Sequence, residues 1–357
     1  MYKKRIDQVQ QFMKEQEMDI IYLHSAINCY YLSGFTGSSR DIILTPEDQY
    51  FYTDFRYGDQ AYDQVSDYEI TVVTPPLLNA VKDQFKKLNG KKIGLELSRL
   101  TADDYLLLKK SLPGATFVNV DSFLSEMRMI KDEIELSYLK KGMEIVDETF
   151  SHILSYLKTG ISEKDLALEL EYKMKKLGAD GIKENHVIAT GARASLPHGQ
   201  ATNKIIEFGD FVKMDFGAKV KGYYTDFTRT VIMGAASQKQ ISIYNIVKNA
   251  QEESLKAVKA GATCAELDEI GRSIIREAGY GENFGHSLGH SLGLEIHEKP
   301  AMRNTDHTLL QTGMVITVEP GIYIKGFGGV RIEDLVVVEE NGINNLTNST
   351  KELLIIK

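Results

Sequence analysis

Two runs of the sequence, Phe211-Val-Lys-Met-Asp215-Phe-Gly217 and Tyr223-Tyr-Thr-Asp226-Phe-Thr-Arg229, flank a short segment at residues 220–222. Both runs are rich in apolar and β-branched residues, which predicts two strands joined by a tight turn. A turn centred between residues 220 and 221 would place Asp215 opposite Asp226, with their Cβ atoms about 4.5–5.5 Å apart. Because like charges placed opposite each other destabilise a sheet, we expect a positive group between them.

A second pair of runs repeats this arrangement, at Val318-Glu319-Pro-Gly-Ile-Tyr-Ile and at Gly328-Gly-Val-Arg331-Ile-Glu333-Asp334. A loop centred on Gly326 would place Glu319 opposite Glu333. Four carboxylates gathered without counter-charge would raise one another's pKa values or destabilise the fold, and one or two arginines cannot balance all of them. Divalent cations can, so the sequence predicts a metal site.

The remaining type of metal ligand lies in Phe284-Gly-His286-Ser-Leu-Gly-His290-Ser-Leu-Gly293-Leu-Glu295-Ile-His297-Glu298. The glycines at positions 285, 289 and 293 predict a loop that lets an imidazole approach a site closely. Nucleotide binding is disfavoured, because the loop lacks the Lys-Ser or Lys-Thr of a P-loop and no strand–GxGxxG–helix unit surrounds it. The HExxH pattern of zinc peptidases is absent as well.

The chain is expected to have a front part and a larger back part. Residues 1–124 alternate strands with helices, which is typical of an α/β domain. The predicted strands are residues 19–23, Asp41–Leu44, residues 49–53, Glu69–Val73 and residues 91–97, and the predicted helices are Leu77–Leu88 and residues 103–112.

The back part, residues 125–357, mixes long helices with hairpins, so we predict an α+β domain. One long amphipathic helix is expected over residues 127–156. Capping boxes, Ser162 with Asp165 and Thr263 with Glu266, begin two further helices. The predicted β runs cover residues 210–219, 222–233, 313–324 and 330–338.

Composition excludes several classes of partner. The chain has 357 residues, with 42 Lys and Arg against 50 Asp and Glu, a net charge of −8 and no basic run, so we expect no nucleic-acid or membrane partner. No apolar run approaches the roughly 20 residues of a membrane span, and no apolar core follows the basic start, so a cytoplasmic location is expected. Cys29 and Cys264 form no CxxC pair and are predicted to be reduced, partly buried thiols.

The motifs together resemble the creatinase, aminopeptidase P and prolidase family of pita-bread metallopeptidases, which has methionine aminopeptidases as relatives. The resemblance is carried by Leu196-Pro-His198-Gly, Met214-Asp215-Phe-Gly, Asp226-Phe-Thr-Arg-Thr, Gly289-His290-Ser-Leu-Gly, Glu295-Ile-His297-Glu, Val318-Glu319-Pro-Gly and Val330-Arg331-Ile-Glu333-Asp. The front part, with Tyr31-Leu-Ser-Gly-Phe-Thr-Gly and Thr53-Asp-Phe-Arg56-Tyr, is similar to the N-terminal domain of Xaa-Pro peptidases. The resemblance implies a pita-bread domain at residues 125–357, preceded by a smaller creatinase-like α/β domain at residues 1–124.

The resemblance also implies a dinuclear metal centre that hydrolyses the bond between an N-terminal residue and a following proline in a peptide or dipeptide. Asp215 would hold one ion, His290 and Glu319 the other, and Asp226 and Glu333 would bridge both. Oxygen-rich ligation with one imidazole suits Mn²⁺, while Co²⁺, Zn²⁺ or Fe²⁺ could occupy the same site.

Further roles are implied by the same likeness. His198 and His297 would donate hydrogen bonds to the substrate, and Glu319 would carry a proton from water to the leaving nitrogen. Arg331, beside Glu333, would orient that carboxylate through a paired contact, or would simply be a charge on the strand surface. A homodimer is expected from the family.

Three positions depart from the family pattern. Ser287 and Ser291 stand where glycine is frequent, which is expected to alter the shape of the pocket without removing a ligand. Ala301 stands where prolidases can carry an arginine for the substrate carboxylate, although Arg303 lies two residues further on, so dipeptidase and aminopeptidase activities both stay open. The alternatives are a methionine-aminopeptidase-like or creatinase-like hydrolase and a non-catalytic pita-bread binding module.

Overall fold

The computed structural model describes Met1–Lys357 and divides into two compact units, Met1–Met127 and Arg128–Lys357. The division lies close to the boundary expected after residue 124. None of the helices combines the length and the apolar character that crossing a bilayer requires. Cys29 and Cys264 are free, as predicted, but they are fully and not partly buried.

The N-terminal unit is built on one mixed sheet of six strands in the order β4-β3-β2-β1-β5-β6. Its core packs residues of the sheet, such as Tyr22, Ile43 and Ile93, against Val81 and Phe85 of a neighbouring helix. The strands are β1 (Ile20–Leu23), β2 (Asp41–Leu44), β3 (Gln49–Asp54), β4 (Glu69–Val73), β5 (Lys92–Leu95) and β6 (Thr116–Asn119). The helices are α1 (Tyr2–Glu15), α2 (Ala26–Ser33), α3 (Gly58–Gln64), α4 (Leu77–Leu88), α5 (Ala102–Ser111) and α6 (Asp121–Met129), the last of which ends just beyond the division.

The C-terminal unit combines four long helices with short strands in four sheets. The helices are α7 (Glu133–Tyr156), α8 (Glu163–Lys176), α9 (Gln238–Ala257) and α10 (Cys264–Glu277). The strands are β7 (Gly181–Ile182), β8 (Val187–Thr190), β9 (Phe211–Phe216), β10 (Ala218–Val220), β11 (Tyr223–Tyr224), β12 (Phe227–Met233), β13 (Gly289–Ser291), β14 (Glu298–Met302), β15 (Val315–Val318), β16 (Gly321–Ile324), β17 (Gly328–Arg331), β18 (Asp334–Glu339), β19 (Gly342–Asn345) and β20 (Ile355–Ile356). The sheets have the orders β11-β10-β7, β20-β12-β9-β8, β14-β13-β15-β18-β19 and β16-β17.

Each of the four predicted β runs is interrupted near a carboxylate. The breaks fall at Gly217, at residues 225–226, at residues 319–320 and at residues 332–333. Gly217 is required at its break, because a Cβ there would lie 1.8 Å from the Thr225 carbonyl oxygen. Asp226, Glu319 and Glu333 therefore lie between strands rather than within them.

The prediction of one continuous helix over residues 127–156 is wrong. Helix α6 ends at Met129, and α7 begins only at Glu133, where Asp132 caps it and Glu135 completes a capping box. This capping signal outweighs the amphipathic pattern that suggested one helix. The two predicted capping boxes, at Ser162 and Thr263, are confirmed.

The register of the first hairpin also differs from the prediction. Val220 pairs with Tyr223, so the turn is centred between Lys221 and Gly222, which both adopt positive φ angles of 48° and 83°. This backbone is typical of a type I′ turn, and glycine favours its second position. Asp215 consequently pairs with Thr228 and not with Asp226.

The register of the second hairpin is confirmed. Gly321 pairs with Arg331, and Val318 pairs with Asp334 in the adjoining ladder. Both pairs fit a loop centred on Gly326. Glu319 and Glu333 lie at matching positions in the gap between the two ladders.

Candidate metal centre

Asp215, Asp226 and Glu333 are buried side chains that approach one another from three places in the C-terminal unit. Asp215 lies on β9, Asp226 precedes β12, and Glu333 lies between β17 and β18. Ligand atoms of Asp226, Glu333 and His290 all lie within 4.8 Å of one another. Because buried carboxylates are costly without counter-charge, this cluster needs cations.

His290 completes this cluster from strand β13, not from a loop as expected. Gly289 allows this strand to lie very close to β15, because a Cβ at this position would lie 2.0 Å from the Thr317 carbonyl oxygen. The glycine therefore permits a close approach, as expected, but this approach is between two strands and not between a loop and the site.

The imidazole of His290 has an orientation that fits a metal ligand. Its Nδ1 lies 3.0 Å from the Ser291 carbonyl oxygen, which can only accept, so Nδ1 carries the proton. Burial lowers the pKa of His290, which keeps the ring neutral. The lone pair of Nε2 then faces Glu319 Oε1 at 3.3 Å and Asp226 Oδ2 at 3.6 Å. A lone pair facing ionised carboxylates is repulsive, and a divalent cation between them would turn this repulsion into attraction.

Glu333 provides a second indication of a cation site. Thr228 donates its hydroxyl to Glu333 Oε2 at 2.6 Å, while the buried Oε1 atom has no hydrogen-bond partner. Burial and the neighbouring Asp226 and Glu319 raise the pKa of Glu333 well above its usual range. Burial likewise raises the pKa of Glu319 to about 7. An orphaned buried carboxylate oxygen fits coordination of a metal ion.

Asp215 differs from these carboxylates because two cations contact it. Lys183 Nζ lies 2.5 Å from Asp215 Oδ1, and the Arg331 guanidinium donates to Asp215 Oδ2. Burial alone would raise the pKa of Asp215, but Lys183 and Arg331 together hold it below its usual range. The positive group expected between the two aspartates is therefore Lys183, whose Nζ is also 2.5 Å from Asp226 Oδ1.

Arg331 contacts Asp215 and not Glu333, the carboxylate that we expected it to orient. The structure instead holds Glu333 through Thr228. Arg331 also donates to the Pro197 carbonyl and to the Tyr323 hydroxyl, both at 3.1 Å. It thus links Asp215 to the segment that carries His198.

His198 and His297 lie near this cluster and are exposed. The His297 ring is 4.5 Å from the His290 ring in an edge-to-face arrangement. Partial desolvation of the ring and the charge of Arg331 lower the pKa of His198, and partial desolvation and the neighbouring His290 lower the pKa of His297. Both rings are therefore neutral near pH 7 and can each donate one hydrogen bond.

Comparison with known proteins identifies the family. A family model described as metallopeptidase family M24 matches residues 137–340, and one described as the creatinase/prolidase N-terminal domain matches residues 5–130. The chain belongs to metallopeptidase family M24. The family and the pita-bread fold expected from the sequence are confirmed, and the matched N-terminal domain argues against a methionine-aminopeptidase-like protein.

Named relatives of this M24 chain cover nearly its whole length. A Xaa-Pro dipeptidase from Pyrococcus furiosus is 37% identical over 99% of this chain and 100% of its own. The structure of a Xaa-Pro dipeptidase from Bacillus anthracis matches with a TM-score of 0.96 and 41% identity, covering 99% of this chain and 100% of that one. An X-Pro aminopeptidase structure from Thermotoga maritima matches with a TM-score of 0.90 and 37% identity, covering 95% and 98%.

Two lysines of the M24 domain were missed by the sequence analysis. Lys183 belongs to no motif, so no sequence signal pointed to it. Lys213 is fully buried and donates to three carbonyl oxygens, those of Ala194, Leu196 and Pro197, at 3.1, 2.6 and 3.4 Å. Burial lowers the pKa of Lys213 to about 6. Lys213 lies two residues before Asp215, so both side chains lie on one face of β9, and this spacing could have identified Lys213 from the sequence.

Two ion pairs, one buried and one partly buried, fix the segment of the M24 domain that carries His297. Lys131 lies 3.2 Å from Glu298 Oε2, and Arg128 lies 2.6 Å from Glu295 Oε2. Lys131 also donates to the hydroxyl of Ser291 at 3.3 Å. Ser291, at a position where the family often has glycine, therefore serves as an internal hydrogen-bond acceptor.

Proposed function

We propose that the chain is a metal-dependent exopeptidase that hydrolyses the bond between an N-terminal residue and a following proline. The observation that carries this proposal is the neutral His290 whose lone pair faces Asp226 and Glu319, beside the orphaned oxygen of Glu333. The relatives named as Xaa-Pro dipeptidases and as an X-Pro aminopeptidase support the choice of substrate.

Asp215, Asp226, His290, Glu319 and Glu333 are the proposed metal ligands. Four carboxylates carry four negative charges, which two divalent ions would balance, and the mixture of oxygens with one imidazole suits Mn²⁺. Bound divalent ions supply Lewis-acid activation of water and of the scissile carbonyl group.

The remaining side chains have roles that follow from their protonation and contacts. Glu319, whose pKa burial raises to about 7, is proposed to accept a proton from water and to donate it to the leaving proline nitrogen. Neutral His198 and His297 are proposed to donate hydrogen bonds to the oxyanion or to the peptide. Arg331 is proposed as a positioning residue, because it holds Asp215 and the carbonyl group of Pro197.

Substitution of the proposed ligands tests this function. We expect Asp226→Asn and His290→Ala to abolish turnover of a Xaa-Pro substrate while leaving the protein folded. His307→Ala, which removes an exposed imidazole from the same unit, should retain full turnover. Full activity of either ligand variant, or activity of wild-type protein after removal of metal, contradicts the proposal.

The length of the substrate is a separate question. Ala301 lies in β14, and Arg303 is exposed immediately beyond the end of that strand. Comparing turnover of Xaa-Pro with that of Xaa-Pro-Xaa peptides separates a dipeptidase from an aminopeptidase. Equal or better use of the longer peptide excludes a strict dipeptidase. The homodimer and the cytoplasmic location expected from the sequence stay predictions.

A further inference from the structure

The backbone of Lys183 is anchored beside Asp215 and Asp226, the two proposed ligands that its side chain contacts. It follows β7, in which Ile182 pairs with Ala218. Its backbone N–H donates to the carbonyl oxygen of Gly217 at 2.7 Å. Lys183 is therefore fixed to the β9–β10 break, between Asp215 and the first hairpin.

The ammonium group of Lys183 takes the oxygens that a metal ion would use. Nζ lies 2.5 Å from Oδ1 of Asp215 and 2.5 Å from Oδ1 of Asp226, and the side chain is only 13% exposed. Divalent ions of this type bind carboxylate oxygens at about 2.0–2.2 Å. Because an ammonium and a divalent ion sharing these two oxygens would repel each other at short range in a poorly hydrated site, both cannot be held there at once.

We propose that Lys183 and a divalent ion compete for Asp215 and Asp226, so that Lys183 lowers the metal affinity of this part of the centre. The inference rests on the proposed function, because it takes Asp215 and Asp226 as ligands. Lysine suits such a role, since its charge lies on a flexible four-carbon stem that can withdraw. The two ion pairs of this ammonium are with Oδ1 of Asp215 and Oδ1 of Asp226, whereas His290 faces Oδ2 of Asp226, so the competition concerns the Asp215 side of the centre.

The competition has a second consequence, for the protein without metal. Lys183 supplies positive charge to two buried carboxylates and thereby stabilises the fold when no ion is bound. A bound ion replaces this contribution, and its own binding stabilises the folded protein in proportion to its affinity. Removal of the ammonium should therefore weaken the metal-free protein and favour the metal-loaded one.

In the experiment, chelator-treated protein is titrated with Mn²⁺, and the heat of binding is measured by calorimetry. Lys183→Met keeps most of the apolar stem and removes the charge. We expect its weakest resolved Mn²⁺ site to bind at least tenfold more tightly than that of wild-type protein, which corresponds to about 1.4 kcal/mol. Lys219→Met is the matched control, because it removes the same charge from neighbouring β10, where Nζ contacts the Tyr224 hydroxyl at 3.1 Å. The control should bind Mn²⁺ as wild-type protein does.

Two further measurements test whether a change in Mn²⁺ affinity comes from the loss of the positive charge at Lys183. Lys183→Arg retains a cation and should bind Mn²⁺ no more tightly than wild-type protein. Thermal unfolding with chelator should show Lys183→Met less stable than wild-type protein, and saturating Mn²⁺ should remove or reverse that difference. If Lys183→Met does not fold without metal, Lys183→Gln takes its place in the titration.

The outcomes separate this inference from the function on which it rests. Equal or weaker Mn²⁺ affinity in Lys183→Met, with wild-type protein still binding Mn²⁺ and hydrolysing Xaa-Pro peptides, overturns the competition alone. Wild-type protein that binds no divalent ion overturns both. An equal tightening in Lys219→Met would show a general effect of net charge and would likewise overturn the role of Lys183.

Discussion

Replacement of Arg331 by methionine tests the electrostatic account of the buried cluster. Arg331 is buried, at 2% exposure, and its guanidinium contacts Asp215, the Thr228 hydroxyl, the Tyr323 hydroxyl and the Pro197 carbonyl oxygen. Removing one partner of a buried ion pair costs about 3–5 kcal/mol when the remaining charge is left without a counter-charge. Asp215 keeps Lys183 as a counter-charge, so we expect Arg331→Met to lose about 1–3 kcal/mol of free energy of unfolding at pH 7.

The assay is urea unfolding followed by circular dichroism, with chelator present so that bound metal does not contribute. The pKa of Asp215 is held low in the folded wild-type protein, so its pairing with Arg331 stabilises the fold above the unfolded pKa of about 3.9. That contribution is lost as the pH falls below this value. The difference between wild type and Arg331→Met should therefore narrow in acid.

A double mutant assigns the cost to the stranded carboxylate. If Arg331→Met is costly because Asp215 loses a partner, adding Asp215→Asn should cost about 0.5–3 kcal/mol less than the sum of the two single changes. Arg303→Met, which removes an exposed arginine, should change the free energy of unfolding by no more than about 0.5 kcal/mol. A loss below about 1 kcal/mol in Arg331→Met, or strict additivity in the double mutant, refutes the reasoning.

Three further changes are predicted. Gly289→Ala should prevent folding or cost several kcal/mol, because the new Cβ would lie 2.0 Å from a backbone oxygen, whereas Gly285→Ala, with no atom within 4 Å, should be near neutral in thermal unfolding. Glu163→Ala should lower the free energy of unfolding in urea by at least about 3 kcal/mol, because the buried carboxylate accepts five hydrogen bonds from the segment at residues 190–202. A loss under about 1 kcal/mol would count against that anchoring role. Hydrogen bonds from Arg56 lower the pKa of Asp54, so wild-type protein should be more stable than Arg56→Gln at pH 7 and lose this advantage toward pH 2; an advantage that persists in acid would contradict the pairing.

The sequence predicted the arrangement of carboxylates better than it predicted their register. The loop centred on Gly326 correctly aligned Glu319 with Glu333, as the pairing on both sides of the two glutamates shows. Around the first hairpin, hydrophobicity does not distinguish a turn at residues 220–221 from one at 221–222. The positive φ angles of Lys221 and Gly222 decide between them, and this is a backbone property that composition shows only through the glycine.

The counter-charges of the site were the part least accessible to sequence reasoning. A positive group near Asp215 was expected from electrostatics, but the expectation did not identify Lys183. Its approach depends on the pairing of β7 with β10, a long-range contact that local patterns do not encode. Arg331 was recognised as a site residue, but the carboxylate that it contacts depended on side-chain geometry across strands.

The central claim is that this carboxylate and histidine cluster holds divalent ions without which no peptide is hydrolysed. Metal analysis of protein purified without chelator, paired with Xaa-Pro turnover on the same sample before stripping, after stripping and after addition of Mn²⁺, tests it most directly. We predict about two divalent ions per chain, loss of turnover on stripping and recovery with Mn²⁺. Undiminished turnover from protein holding fewer than about 0.1 ions per chain would contradict the account.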